Sequence, residues 1–266
     1  MLAGRAVIIT GAGQGLGRAY ALAAAAAGAA VVVNDVDPMS ASDTAAQIVD
    51  AGGSARVVIG SVADWSTAEQ LTSTCLKGFG RVDGVVANAA IMRNAEPWEE
   101  NEADLRAIAE VNILGVQFTV RHAMRAMVDG GKGGSVVTIV SGAREGMAGM
   151  SAYGASKGAV AAMTANWALA GAPRGIRVNA VSPLGRTPMS LADHRADRPE
   201  LPDPELIAPL IVALLSDATA DLTGAVLRFD GTRLSAYRSS LAQLGTRTDA
   251  WSAADLAQAL TASGPS

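Results

Sequence analysis

The sequence predicts an α/β fold, a single doubly wound domain with a mainly parallel sheet and helices on both faces. Three observations carry this expectation. Short β-rich apolar runs recur at Ala6–Thr10, Ala30–Asn34, Ala55–Ile59, Gly84–Asn88, Ser135–Val140, Arg177–Val181 and Ala225–Phe229. Ala-rich or amphipathic stretches separate them, and apolar strands alternating with helices indicate a parallel sheet covered on both faces. No internal repeat or low-complexity linker divides the chain, so residues 1–232 are read as one domain.

Composition narrows the functional classes. A chain of 266 residues suits one large α/β domain, and 50% hydrophobic residues can fill its core. Charged residues are 17% and the net charge is −4, with no basic stripe, which argues against nucleic acid as a partner. The longest apolar run, between Arg18 and Asn34, falls short of the ~18 residues of a spanning helix and contains Gly28, so no membrane segment is expected. Met1-Leu-Ala-Gly-Arg5 leads straight into the first strand without the pattern of a signal peptide. The single Cys75 cannot form an internal disulfide, and the two features together predict a cytoplasmic location.

Two segments break the alternation. Ser190–Pro204 has no clear periodicity and reads as a mobile substrate-lid loop before a helix over Glu205–Ser216. Residues 233–266 form a C-terminal extension, in which Ser252 can N-cap a short helix over Ala253–Leu260 with Asp255 in its first turn.

The first run continues into Thr10-Gly-Ala-Gly-Gln-Gly-Leu-Gly17 and then a helix. Glycines let a backbone approach a pyrophosphate, and a helix N-terminus supplies N–H groups and a positive dipole end. The strict G-x-G-x-x-G spacing fails, because Leu16 and Arg18 fall where the last glycine belongs. Gly11, Gly15 and Gly17 fit G-x-x-x-G-x-G instead. The second run ends Val31-Val-Val-Asn-Asp35, and an acid at this point can accept both hydroxyls of an adenosine ribose while repelling a 2′-phosphate. Position 14 is Gln, and Val36, Asp37 and Pro38 follow the acid, so NAD is expected over NADP. A loop or helix-capping aspartate is the structural alternative.

The chemistry is expected at Tyr153-Gly-Ala-Ser-Lys157. Residues four apart share a helical face. An ammonium beside a phenol favours the phenolate, so the spacing predicts a lowered tyrosine pKa. A tuned tyrosine can exchange a proton with a secondary alcohol oxygen. Ser141 closes a strand at the carboxyl edge, where ligands bind, and its hydroxyl can hold the substrate oxygen; a turn serine is the alternative. Asn112 lies mid-helix, where asparagine is a poor helix former, and can bond backbone and open a water site or simply join two helices.

Taken together these residues resemble the short-chain dehydrogenase/reductase family over nearly the whole chain. The matching order is Thr10–Gly17, Asp35, Asn88-Ala-Ala90, Asn112, Ser141, Tyr153 with Lys157, Asn179-Ala-Val-Ser-Pro183, Thr187 and Thr223-Gly224. The resemblance implies a Rossmann-like sheet of about seven strands. It implies Tyr153 as general acid/base, Lys157 as its pKa-lowering, ribose-binding partner, Ser141 as substrate positioner and Asn112 as support for a proton relay. It assigns the cofactor to Gly11, Gln14, Gly15, Leu16, Gly17, Asp35, Ser61, Val62, Asn88, Ala89, Tyr153, Lys157, Pro183 and Thr187. Gly15–Leu22, Val31–Asp35, Pro183–Thr187, Ala208–Val212 and the Trp251–Leu260 tail resemble the dehydrogenase part of multifunctional β-oxidation enzymes, which act on 3-hydroxyacyl-CoA and use NAD. Arg186, Arg195 and Arg198 are the candidates for an acyl-CoA.

The pattern also departs from the family. Asn-Asn-Ala-Gly becomes Ala87-Asn-Ala-Ala90, and Gly60 or Ser61 replaces an adenine-contacting aspartate. Leu184 follows Pro183 where glycine is usual, and the final Asp-Gly-Gly reads Asp230-Gly-Thr232. The stretch from Ser141 to Tyr153 is one residue short, which puts Val140 at the usual serine spacing; Val140 cannot donate, so Ser141 is retained. His122 reads as a surface residue and His194 as part of the variable loop. Met147 and Met150 can line an apolar pocket. No His/Cys/Asp cluster has metal-ligand spacing. The expected function is hydride transfer between a nicotinamide and a secondary alcohol or ketone of hydroxyacyl, hydroxysteroid or similar apolar type. The alternatives are a nucleotide sensor or scaffold, and an epimerase or dehydratase using the same tyrosine. The Ala-rich late helices suggest a homo-oligomer, dimer or tetramer.

Overall fold

The structure is a computed structural model, which describes residues 1–191, 200–238, 243–246 and 250–263. In chain order the first half runs β1 (Ala6–Thr10), α1 (Gly15–Ala26), β2 (Ala30–Asp35), α2 (Pro38–Asp50), β3 (Ser54–Ile59), α3 (Trp65–Phe79) and β4 (Gly84–Ala87). The second half runs α4 (Glu102–Ile108), a π-helical turn (Ala109–Leu114), α5 (Gly115–Gly130), β5 (Gly134–Ile139), α6 (Ser151–Gly171), β6 (Ile176–Pro183), α7 (Pro188–Leu191), α8 (Ala208–Leu215), β7 (Val226–Phe229) and β8 (Leu234–Ala236). Helix α9 (Ala253–Ser263) follows.

The strands form an eight-stranded sheet in the order β3-β2-β1-β4-β5-β6-β7-β8, parallel throughout except for β8, which pairs antiparallel with β7. Residues on β1 and β4 are buried along their whole length, because helices cover both faces. Alternate residues feed two cores. Val7, Ile9, Val31 and Val33 pack with α1 and α8. Ile8, Val32, Val85 and Val136 pack with α3, α5 and α6. Local sequence sets the helix ends. Asp37 caps α2 through bonds from the Met39 and Ser40 N–H groups, and Asn101 caps α4 through Asp104 N–H. Gly80 and Gly131 end α3 and α5 in the left-handed region.

The sheet departs from expectation at its edge. About seven strands were expected, and β8 adds an eighth inside the stretch assigned to the C-terminal extension. Leu234, Ser235 and Ala236 are all exposed, so no burial pattern marks them in sequence. The first compact unit therefore runs Met1–Ala236, and Tyr237–Ser266 forms a second. In that second unit Ser252 and Asp255 cap α9 reciprocally, the Asp255 N–H donating to Ser252 Oγ at 3.2 Å and the Ser252 N–H to Asp255 Oδ2 at 3.0 Å. The helix expected over Glu205–Ser216 is split into a 3₁₀ turn, Pro204–Leu206, and α8. Within the 190–204 segment, residues 192–199, with His194, Arg195 and Arg198, lie outside the described residues. His122 is half-buried, stacked edge-on against Trp65 with ring centroids 4.6 Å apart, where a surface position was expected.

Strand order positions the site. The chain moves from β1 outward through β2 to β3, then crosses back to place β4 on the other side of β1. Side chains cannot fill the crevice between the diverging connections, so the carboxyl ends of β1 and β4 open a cleft. The far side of the sheet is fastened by Asn179 of β6, fully buried. Its Oδ1 accepts from Ala225 N–H at 3.0 Å and its Nδ2 donates to Leu222 O at 2.8 Å. Asn179→Ala strands both backbone groups and is expected to lower unfolding free energy by about 2–4 kcal/mol. Urea unfolding monitored by circular dichroism measures this, and an unchanged midpoint contradicts it.

Candidate active site at the carboxyl edge of the sheet

The glycine turn is held by close backbone contact. A Cβ at Gly17 would lie 2.0 Å from Gly11 O and 2.5 Å from Asn88 Nδ2, so no side chain is tolerated there. Asn88 Nδ2 donates to Thr10 O and Gly11 O at 3.0 and 3.1 Å. Thr10 Oγ1 accepts from the N–H groups of Asn88 and Ala89 at 3.0 and 3.1 Å. The ends of β1 and β4 are thereby locked together. Gln14 occupies the cap position of α1 without a side-chain bond to the first turn, which leaves those N–H groups facing the cleft. A Cβ at Gly15 would come within 3.1 Å of Thr187, so the loop after β6 lies across the turn. Thr187 and Ser190 exchange bonds that start α7.

Asp35 ends β2 with both carboxylate oxygens engaged by backbone. Oδ2 accepts from Gly13 N–H at 2.9 Å and Oδ1 from Asp37 N–H at 3.2 Å. It is not a helix cap, since Asp37 fills that position. Each carboxylate oxygen retains a further acceptor direction. Gly13 was absent from the expected site, yet a Cβ there would sit 2.9 Å from Asp35 Oδ2. Its signal was the extra glycine that spoiled the standard spacing. Arg18 is turned away, its guanidinium bonded to Gln47 Oε1 at 2.7 Å.

One cavity of about 630 Å³ gathers almost every expected residue. Gly11, Gln14, Gly15, Leu16, Gly17, Asp35, Ser61, Val62, Asn88, Ala89, Pro183 and Thr187 line it, together with Ser141, Tyr153 and Lys157. Met147 and Met150 line it too, joined by Met92, Met189, Leu201 and Arg228, which sequence reasoning did not single out as site residues. Ser61 Oγ accepts from Ala63 N–H at 3.2 Å and so shapes its own turn. Arg186 does not line the cavity; it forms an ion pair with Asp203 on the surface. A glycine-built cradle, an uncapped helix start and a carboxylate at the end of β2 suit an elongated ligand with phosphates in its middle and a ribose at one end.

Asn112 stands behind the cavity wall, fully buried. It lies in the π-helical turn, whose wider winding takes its side chain out of the regular helical ladder. Its Oδ1 accepts from Ile91 N–H and its Nδ2 donates to Ile91 O, both at 2.8 Å. Nδ2 also donates to Ser156 Oγ at 3.1 Å, and Ser156 Oγ donates to Tyr153 O at 2.7 Å. Asn112 therefore makes the expected bonds to backbone and also the link to a second helix that was the alternative. Ser156, inside the Tyr153–Lys157 pentapeptide, supplies a connection that spacing could not reveal.

Ser141 and Tyr153 line the same cavity despite the shortened segment. Ser141 also accepts from Ala143 N–H at 3.2 Å, which starts a 3₁₀ turn over Gly142–Glu145 and folds the chain back compactly. Burial pushes the Tyr153 phenol up to about 12, with a hydrogen bond to Ser141 pulling the other way. This corrects the expectation of a lowered phenol: desolvation outweighs the bond from Ser141. Lys157 Nζ lies 5.5 Å from the Tyr153 ring centre and donates to Ile139 O at 2.9 Å. Burial brings the Lys157 ammonium down to about 8.

The Lys157 shift links stability to pH. Its folded pKa of about 8 lies below the ordinary 10.5, so between those values the unfolded chain binds more protons. Stability from this residue is therefore complete above pH 10.5 and is lost as pH falls through 8. Relative to Lys157→Met, the native protein should gain about 3 kcal/mol between pH 8 and 10.5. Denaturation of both proteins across this range measures the gain, and a constant difference refutes it.

Comparison with known proteins adds to this geometry. Residues 5–197 match the family described as short chain dehydrogenase. The chain is 38% identical over 239 residues to a cis-4-hydroxycyclohexanecarboxylate dehydrogenase of Sinomonas cyclohexanicum, covering 85% of this chain and 95% of that one. It is 32% identical over 244 residues to the hydroxyacyl-CoA dehydrogenase ChsB1 of Mycobacterium tuberculosis, covering 85% and 77% of the two. A crystal structure of a short chain dehydrogenase from Mycobacterium paratuberculosis bound to NAD superposes with a TM-score of 0.80 at 28% identity, covering 86% of this chain and 97% of that one. Agreement of sequence and backbone over this much of the molecule makes the chain a member of the short chain dehydrogenase family.

Proposed function

We propose that this oxidoreductase is an NAD-dependent secondary-alcohol dehydrogenase or ketone reductase, with Tyr153 as its general acid/base. The observation that carries the reading is that Ser141, Tyr153 and Lys157 line the same cavity as the glycine turn. When bound, a nicotinamide supplies or takes up a hydride. Tyr153 Oη gives a proton to the substrate oxygen in reduction and takes one in oxidation. Ser141 Oγ donates its single proton to that same oxygen once substrate is bound. With its phenol pushed up to about 12, Tyr153 holds its proton at neutral pH and is ready as an acid. Lys157, held by Ile139 O, keeps further N–H donors for a ribose hydroxyl. Asn112 acts behind the wall as a positioning residue, joining Ile91 to the first turn of α6 through Ser156.

Three points support NAD over NADP. Asp35 presents a carboxylate to the cavity, where a 2′-phosphate would be repelled. Arg18 is committed to Gln47. Among the described residues lining the cavity, the basic ones are Lys157 and Arg228, neither of them on the β2 side. The NAD-bound relative points the same way. The first compounds to offer are those for which relatives are named, 4-hydroxycyclohexanecarboxylate and hydroxyacyl-CoA thioesters. Exposed Val128 on α5 and Leu169 on α6 support a homo-oligomer, which light scattering on the purified protein tests.

Tyr153→Phe should lower kcat by about 100- to 10,000-fold while NADH binding persists. Turnover retained by that variant would remove the proposed mechanism. kcat/KM should be higher with NAD than with NADP, and the reverse preference would remove the Asp35 reading. NADH production from a secondary alcohol separates a dehydrogenase from an epimerase, a dehydratase or a sensor.

A further inference from the structure

Helix α6 begins without a cap of its own. Met150 occupies the cap position, and its side chain offers the first turn no bond. The N–H groups of Ser151, Ala152 and Tyr153 open the helix and have no carbonyl within it to bond. An acceptor comes instead from the loop after β4. Glu100 Oε1 accepts from Ala152 N–H at 3.1 Å and from the Ser151 hydroxyl. A carboxylate there also meets the positive end of the helix dipole. Both bonds end on one oxygen, and they fix the turn in which Tyr153 is the third residue.

The loop that carries Glu100 is itself anchored along its length. At its start Ile91 bonds Asn112 through both backbone groups, at 2.8 Å each. In its middle Ala95 pairs in parallel with Met150, and Ala95 N–H donates to Gly149 O at 3.0 Å. At its end Asn101 caps α4, directly after the half-buried Glu100. Ile91 and Met92 of this loop line the cavity, whereas Glu100 stands outside the lining. Its contacts are with the start of α6, away from the proposed substrate and dinucleotide.

Helix geometry carries the consequence to Tyr153. Cα–Cβ bonds tilt towards a helix N-terminus, so the phenol leans back over the first turn. The set of that turn therefore decides where Tyr153 Oη lies. Asn112 holds Tyr153 O through Ser156, and Glu100 holds the two residues before it. A misplacement of about 1 Å can cost about 100-fold in rate. Resting on the proposed redox reading, we infer that Glu100 is a positioning residue for proton transfer. By capping α6 from a different segment, it holds the Tyr153 hydroxyl at bonding distance from the substrate oxygen.

Glu100→Ala and Glu100→Gln test this with a secondary alcohol that the native enzyme oxidises. Glu100→Ala should lower kcat by about 10- to 100-fold while KM for NAD and the dissociation constant of NADH keep their native values. Hydrogen exchange read by mass spectrometry should quicken over residues 151–157. Glu100→Gln retains an acceptor oxygen and should return kcat to within about threefold of native, the remainder reflecting the charge lost at the helix end. Circular dichroism at the assay temperature checks that both variants are folded. A kcat unmoved by Glu100→Ala overturns the inference even where exchange quickens, because the cap then serves stability alone. A Glu100→Gln variant as slow as Glu100→Ala overturns it too, as does a loss of kcat matched by lost NADH binding. None of these results touches the redox reading, which fails if the native protein oxidises no secondary alcohol. Exchange then decides: quickening confined to residues 151–157 in Glu100→Ala and absent in Glu100→Gln keeps Glu100 as the brace of the Tyr153 turn, and unchanged exchange overturns that as well.

Discussion

The site depends on one close approach, the start of α1 against the end of β1. Gly17 can lie against the Gly11 carbonyl because it carries no side chain, and Asn88 bonds that carbonyl from the neighbouring strand. This contact brings the first turn of α1 down onto the β1–β4 crevice, so that helix N–H groups, strand ends and the Asp35 carboxylate share one wall. A larger residue at 17 would lift the helix and pull apart the Thr10–Asn88 lock with it. Sheet order makes the crevice, and the glycine contact determines what lines it.

Burial shapes the reactive end in two opposed ways. It favours the neutral phenol of Tyr153 and the neutral amine of Lys157 over their charged forms. Local bonds restrain both: Ser141 donates to the phenol oxygen's charged form, and Ile139 O accepts from the ammonium. The resting balance is a protonated tyrosine beside a cation of unusually low pKa. Such a pair responds strongly to any further charge brought near it.

Much of this was legible in the sequence because burial and turn chemistry leave local marks. Apolar runs named seven strands to within a residue or two, and Thr10–Gly17, Asp35 and Tyr153/Lys157 marked the cavity wall. What remained hidden depends on contacts between distant segments. Gly13 looked like a spoiled spacing until its bond to Asp35 was visible. β8 has no buried face and so no period. Ser156 looks like any helical serine, yet it couples Asn112 to the tyrosine turn. Arg228 sits in an ordinary short strand, and its place in the cavity follows from pairing register. The direction of the Tyr153 shift could not be read from i,i+4 spacing, which records the neighbouring cation but not the depth of burial.

Asp35 serves two ends at once. The same carboxylate that faces the cavity also holds the Gly13 and Asp37 amides, so it forms part of the loop's scaffold. Loss of this acid would release the Gly13 amide from the tip of β2, so a substitution at position 35 would disturb the loop as well as the cavity wall. A base added at position 14 or 36, both at the cavity wall, would change the charge there without touching that scaffold.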